Sequence, residues 1–220
     1  MKIVAEVGCN WHTIEEAKLF IDKSKELGLF STKFQIYNDD VIKDSEHYDF
    51  LKSIQLDYEK AKELFDYGKS IGQEVFFTPM FEDAIFWMSE IGCEFYKIRY
   101  KDRFNGDFIS LINTLVYNPI IFRSCDYDSF IIGERIIPFL CIPKYPAKWS
   151  DYIDNLYYES IMKVLFKGIS SHIPDCQLLY YIMKNYKEIE YFEKHVKLND
   201  DCLESKWSVT FEQLAEVLNK

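Results

Sequence analysis

The chain has 220 residues, 48% hydrophobic and 28% charged, with a formal net charge of −10. Those values belong to an ordinary globular domain and exclude disordered and fibrous classes. No apolar run reaches membrane-spanning length, and so acidic a chain lacks the dense cationic surface that nucleic-acid phosphates require; neither a membrane nor a nucleic acid is expected as a partner.

The opening MKIVAEVG enters a strand pattern at once, without the charged, apolar and small-residue segments of an export signal. Cys9, Cys93, Cys125, Cys141, Cys176 and Cys202 are scattered with no CxxC pair, which fits reduced thiols in a cytoplasm. One domain over residues 1–220 is expected, near the lower size limit of a (β/α)8 TIM barrel, which takes roughly 250 residues.

Short apolar runs predict strands at Ile3–Gly8, Thr32–Tyr37, Glu74–Thr78, Phe95–Arg99, Pro119–Ser124, Ile136–Ile142, Val164–Ser170 and Ile189–His195. Between them, Ala17, Phe20, Ile21 and Leu27 recur at helical spacing, as do Ala61, Leu64, Phe65 and Gly68, then Ala84, Trp87, Met88 and Ile91. Phe211, Leu214, Ala215 and Leu218 repeat the pattern after Thr210, a candidate N-cap with Gln213 three residues on. Strand and helix alternate, as parallel βαβ construction requires. The fifth and sixth strands are too close for a full helix between them, and Gly133 interrupts the connection, so the fifth helix is reduced. An open doubly wound sheet would also alternate, but the glycine-rich phosphate loop such sheets carry is missing. The fold expected is therefore α/β, a compact (β/α)8 barrel.

In such a barrel chemistry sits at the C-terminal ends of the strands. Residues there include Glu6 and Asn10, Lys33 and Gln35, Thr78, Lys97 and Arg99, Arg123, Tyr145, Ser170 and His172, and Glu193 and His195. His172 and His195 close consecutive strands, and neutral imidazoles so placed suit a divalent metal; a hydrogen-bonded structural pair fits the spacing as well. Lys33, Lys97 and Arg123 are placed to converge on an anion, or each to pair with a carboxylate such as Glu6 or Asp102. Glu6 reads either as a general base or as the counter-charge of Lys33. Met80, Phe81, Trp87, Tyr157–Tyr158 and Tyr180–Tyr181 read as packing.

The ordered fragments AEVGCN, TKFQ, FTP, YKI, YP, DNL, GISSH and EKH resemble the catalytic barrel of the sialic acid synthase family, almost from end to end. The resemblance implies condensation of phosphoenolpyruvate with an N-acylated amino sugar aldehyde, with release of phosphate by C–O cleavage and help from Mn2+ or Mg2+. By position it implies His172 and His195 as metal ligands, and Lys33, Thr78, Lys97 and Ser170 as holders of phosphoenolpyruvate. Gln35 and Tyr145 fall on the sugar side, and Glu6 at the proton-managing glutamate of the first strand.

The departures from the family pattern have consequences too. A small Gly-Ser-Gly-Glu turn after YKI becomes Arg99, Tyr100, Lys101 and Asp102. The fifth-strand serine is replaced by Arg123, whose planar fork would serve an anion in its stead, and Pro143 stands for an Asn or Ser. A Gly-Pro-Asp-His stretch becomes Leu203, Glu204, Ser205 and Lys206, and the family's C-terminal antifreeze-like domain is not in the sequence. The expected activity is thus a synthase of this kind with altered substrate. Its rivals are a barrel that serves as a binding or assembly partner of an active synthase, and an aldolase that uses Lys97 as a Schiff base. Assembly as a homo-oligomer or with a partner synthase follows from the same resemblance.

Overall fold

A computed structural model of the chain describes residues 1–126, 128–129, 133–156 and 166–220, with residues 153–156 as backbone only. Eight parallel strands close on themselves: β1 Lys2–Glu6, β2 Ser31–Ile36, β3 Glu74–Pro79, β4 Phe95–Ile98, β5 Ile120–Cys125, β6 Ile136–Cys141, β7 Gly168–Ser171 and β8 Tyr191–Lys197. Each pairs with its neighbour in sequence, and β1 pairs with β8 from Lys2↔Tyr191 to Glu6↔His195. This is the expected (β/α)8 barrel. A short ninth strand, β9 Val209–Thr210, extends β8 beyond the ring.

Four of the helices follow the periodicities read in the sequence. α1 Ile14–Glu26 starts at Thr13, whose side chain accepts from the Glu16 amide, and buries Ala17, Phe20 and Ile21. α2 Asp39–Ile42 and α3 Tyr48–Ser53 are short additions that the sequence pattern did not single out. α4 Tyr58–Ile71 starts at an Asp57 cap, buries Ala61, Leu64 and Gly68, and stops at left-handed Gly72. α5 Glu82–Ile91, α6 Gly106–Leu115, α7 Trp149–Leu156 and α8 Gln177–Asn185 follow. α9 Phe211–Leu218 opens with the reciprocal Thr210–Gln213 capping box. No helix lies among the described residues of 126–135, as the short β5–β6 connection requires. Met80, Phe81, Trp87 and Tyr181 pack against the core, whereas Tyr180 is exposed on α8 and Tyr157–Tyr158 lie outside the described residues.

Two cores result from the two faces of the strands. The larger lies between strands and helices. The smaller fills the barrel near the strand N-termini with Val4, Phe76, Phe122, Phe139 and Tyr191. Phe122 is its centre, with ring centroids 5.5 Å from Phe76, 5.1 Å from Phe139 and 5.0 Å from Tyr191. Gly168 makes room for this plug, since a Cβ there would come within 2.5 Å of the Phe139 ring. Because strand side chains alternate, the residue two positions on from each plug residue faces the same interior, one level higher. Val4, Phe76, Phe122, Phe139 and Tyr191 thereby place Glu6, Thr78, Ser124, Cys141 and Glu193.

Among the described residues no helix is long and apolar enough to cross a membrane. All six cysteines are free thiols.

Candidate functional site

Above the aromatic plug lies a cavity of about 220 Å3. Its lower level is a buried lattice of charge. Lys33 Nζ lies 2.5 Å from Glu6 Oε2 and 3.4 Å from Glu193 Oε2, and Lys97 Nζ lies 3.1 Å from that same Glu193 oxygen. Thr78 Oγ1 accepts from Lys33 at 3.0 Å, Gln35 donates to Glu6 Oε1 at 2.7 Å, and Ser170 donates to Glu193 Oε1 at 2.6 Å. Two buried cations thus face two buried carboxylates, the balance that a dry interior demands.

These groups tune one another. Burial opposes charge on Lys33, but Glu193 and Glu6 outweigh it and raise its pKa. For Lys97 burial wins, and its pKa is lowered; its ammonium also sits 4.1 Å from the Phe139 ring centroid. Burial would lift Glu193 as well, yet Lys33, Lys97 and the Ser170 hydroxyl hold it well below the usual carboxylate range.

The upper level carries the histidines. His172 follows β7, and its Nδ1 bonds the Ile142 carbonyl at 2.9 Å. His195 on β8 has Nδ1 3.0 Å from Glu204 Oε2. Burial lowers the two imidazoles to about 3 and about 4 respectively, so both are neutral near pH 7. Their ring centroids are 5.2 Å apart, and neither Nε2 makes a hydrogen bond among the described residues. A neutral ring whose Nδ1–H is engaged presents an Nε2 lone pair, which is the form that ligates metal, and a carboxylate behind one ring is the usual support. The donor set therefore fits a divalent cation completed by water or substrate oxygens. No group of three or more metal-ligating side chains occurs among the described residues.

Glu204 stands at this level mostly shielded from solvent, and that shielding pushes its pKa up to about 7. Its carboxylate accepts from the Cys9 amide at 3.3 Å, and its own amide donates to Asn10 Oδ1 at 2.9 Å. Asn10 also donates to the Val196 carbonyl and to Ser208 Oγ, so it ties the end of β1 to the segment carrying Glu204. Tyr145, 53% exposed, lays its ring 4.2 Å from that of His172 and forms the rim with Trp207.

Of the residues expected at the site, Glu6, Lys33, Gln35, Thr78, Lys97, Tyr145, Ser170, His172 and His195 all line this cavity. Arg123 does not, and the expected convergence of three cations is corrected to two. Phe122 points into the plug, so Arg123 must point outward through the barrel wall. There it is fully buried and donates to the Arg103 and Ser129 carbonyls. The hydroxyl of the fifth strand is not lost either: Ser124, one residue on, lines the cavity. Cys141, Glu193, Glu204, Arg99 and Tyr100 line it too without having been assigned a role, and so does Met80, which was expected only to pack. For Ser124 and Cys141 the available signal was the aromatic residue two positions earlier.

A model of the NeuB family matches residues 14–124. Uncharacterized protein MJ1065 of Methanocaldococcus jannaschii is 28% identical, over 77% of this chain and 55% of its own length; the chain thus spans about half the length of that curated relative. Among solved structures, the N-acetylneuraminic acid (sialic acid) synthetase of Leptospira borgpetersenii, in complex with citrate, superposes with a TM-score of 0.84 at 19% identity, covering 99% of this chain and 81% of that one. A putative spore coat polysaccharide biosynthesis protein E from Chromobacterium violaceum gives 0.81 at 18% identity, covering 99% and 72%. A truncated 3-deoxy-D-arabino-heptulosonate 7-phosphate synthase from Thermotoga maritima gives 0.70 at 13% identity, covering 100% and 84%. At such identities these likenesses speak for the fold.

Proposed function

This chain belongs to the NeuB family, and from that premise we propose that it is a sialic acid synthase-like enzyme. It would join phosphoenolpyruvate, or a related three-carbon anionic donor, to an N-acyl amino sugar aldehyde in nonulosonic acid biosynthesis. The observation that carries this reading is the meeting of the Lys33–Glu6–Glu193–Lys97 lattice with the His172–His195 pair in one cavity. The citrate held by the Leptospira synthetase is in keeping with an anion site in this fold.

In this reading Lys33 and Lys97, with the hydroxyls of Thr78, Ser124 and Ser170, hold the donor at the lower level. Charge-assisted contacts of that kind are the strongest available to a small anion. The donor carbon attacks the aldehyde carbon, water adds to the carbon bearing the phosphate, and the C–O bond to phosphate breaks, the two protons of that water ending on the new hydroxyl and on the departing phosphate. Glu6, fixed by Gln35 and Lys33, is placed to orient that water and take its proton. Mn2+ or Mg2+ held by His172 and His195 would supply Lewis acidity to the aldehyde oxygen. Tyr145 offers the sugar an exposed aromatic face at the rim.

The test is incubation of the purified chain with phosphoenolpyruvate, N-acetylmannosamine and Mn2+, reading inorganic phosphate and the sugar acid together. Stoichiometric formation of both, lost in Lys97→Met, supports the reading; a panel of other N-acyl amino sugars identifies the acceptor. Binding of donor and metal without turnover on any sugar would favour the binding or assembly partner instead. Borohydride trapping of a carbonyl ligand on Lys97 would favour the aldolase.

A further inference from the structure

Two cations of the cavity keep donors to spare among the described residues: Lys97 Nζ, which faces Glu193 without a hydrogen bond, and Arg99 nearer the mouth. Arg99 follows Lys97 by two residues, so its side chain rises from the same face of the chain, roughly 7 Å further toward the mouth. Its Nε is engaged by Asp102, and Nη1 lies 2.8 Å from Met80 Sδ. Nη2 makes no hydrogen bond among the described residues, and the side chain keeps 25% of its surface open. The lysines below are already shared between two carboxylates. The turn that carries Arg99 is also anchored from behind, because Arg123 holds the Arg103 carbonyl and the Tyr100 hydroxyl donates to Asp126. A guanidinium held on a fixed stem with an unused edge is prepared for a tetrahedral oxyanion.

We propose that Arg99 is a second anion-binding point of the cavity and takes a phosphoryl group, while Lys33 and Lys97 take a carboxylate below it. A small donor that is acidic at both ends would engage both levels. A phosphate on the acceptor sugar presents the same chemistry to Arg99. The donor source rests on the synthase reading above, and the anion-binding point itself does not.

Calorimetric titration of wild type, Arg99→Gln and Arg99→Lys with phosphoenolpyruvate, pyruvate, N-acetylmannosamine and its 6-phosphate tests this. Arg99→Gln is expected to weaken phosphoenolpyruvate about ten- to a hundredfold, as loss of one charge-assisted pair does, and to leave pyruvate unchanged; Arg99→Lys recovers part of the loss. If only the sugar phosphate weakens, the phosphoryl group belongs to the acceptor. Wild-type affinity of Arg99→Gln for both phosphorylated ligands overturns the proposal; if Lys97→Met still abolishes phosphoenolpyruvate binding, the synthase reading survives it. Arg99-dependent phosphate binding with no turnover on any sugar does the reverse. Absence of all binding to wild type overturns both.

Discussion

Arg123 and Ser124 are adjacent in β5 yet end in different compartments, the serine in the cavity and the arginine behind the barrel wall, where it holds the Arg103 and Ser129 carbonyls. The two positions should therefore respond oppositely to substitution. Arg123→Met strands buried carbonyls and is expected to cost about 2–4 kcal/mol of stability by urea denaturation. Ser124→Ala is expected to change stability by less than about 1 kcal/mol and to weaken phosphoenolpyruvate roughly two- to tenfold. An Arg123→Met chain as stable as wild type would contradict the assignment.

That same pair marks the limit of what the sequence discloses. The strands, the reduced β5–β6 connection and the strand-end positions of Glu6, Lys33, Lys97 and His195 were legible, because period-2 and period-3.6 patterns and strand ends are local signals. Which of two adjacent polar residues faces inward is not local: it depends on the register of β5 against the aromatic plug, where Phe122 meets Phe76, Phe139 and Tyr191. Glu193 was visible as a polar residue in a strand, but its role as the shared counter-charge of Lys33 and Lys97 needs three strands brought together. Glu204 was seen only as a departure from a pattern, since its contact with Cys9 spans the chain from one end to the other and its contact with His195 depends on the turn after β8.

Glu193 should be the costliest single charge to remove. With Glu193→Gln, Lys97 loses its one ion-pair partner among the described residues and Lys33 keeps Glu6 alone among them. Leaving a buried cation uncompensated costs about 3–5 kcal/mol, to be read as a lower denaturation midpoint at pH 7. Glu193→Asp, which keeps the charge, should recover part of it. Equal midpoints for Glu193→Gln and wild type would dissolve the charge lattice as a structural element.

Acid should destabilise the metal-free protein through the histidines. His172 is lowered to about 3 when folded, with burial the main cause, against about 6.5 unfolded. Its contribution is thus fully present above the unfolded value and is lost as the pH falls from there toward about 3. Glu204, raised to about 7 by burial, works in the opposite direction and favours the folded state as it takes up a proton. Comparison with His172→Gln isolates the imidazole: between pH 7 and pH 4 wild type should lose about 2–3 kcal/mol more than the variant. Parallel stability curves would mean that His172 titrates normally.

Metal binding should require both rings and lean on the carboxylate behind one of them. Mn2+ titration followed by electron paramagnetic resonance is expected to show one site in wild type and none in His172→Ala or His195→Ala. Glu204→Gln, which weakens the support for His195 Nδ1, should lower affinity about tenfold or more. Undiminished binding by His195→Ala would leave the two histidines as structural residues.

The aromatic plug has a consequence for traffic. Phe76, Phe122, Phe139 and Tyr191 fill the barrel beneath the charge lattice, so the cavity is closed on that side, with the histidines and Tyr145 at its upper level. In the proposed reaction, whatever must lie deepest would have to arrive while the rim is still clear, and a sugar settled against Tyr145 would shut the way behind it. Loading would then be sequential, small anion first and sugar second, and the joined product would have to leave before another anion could descend.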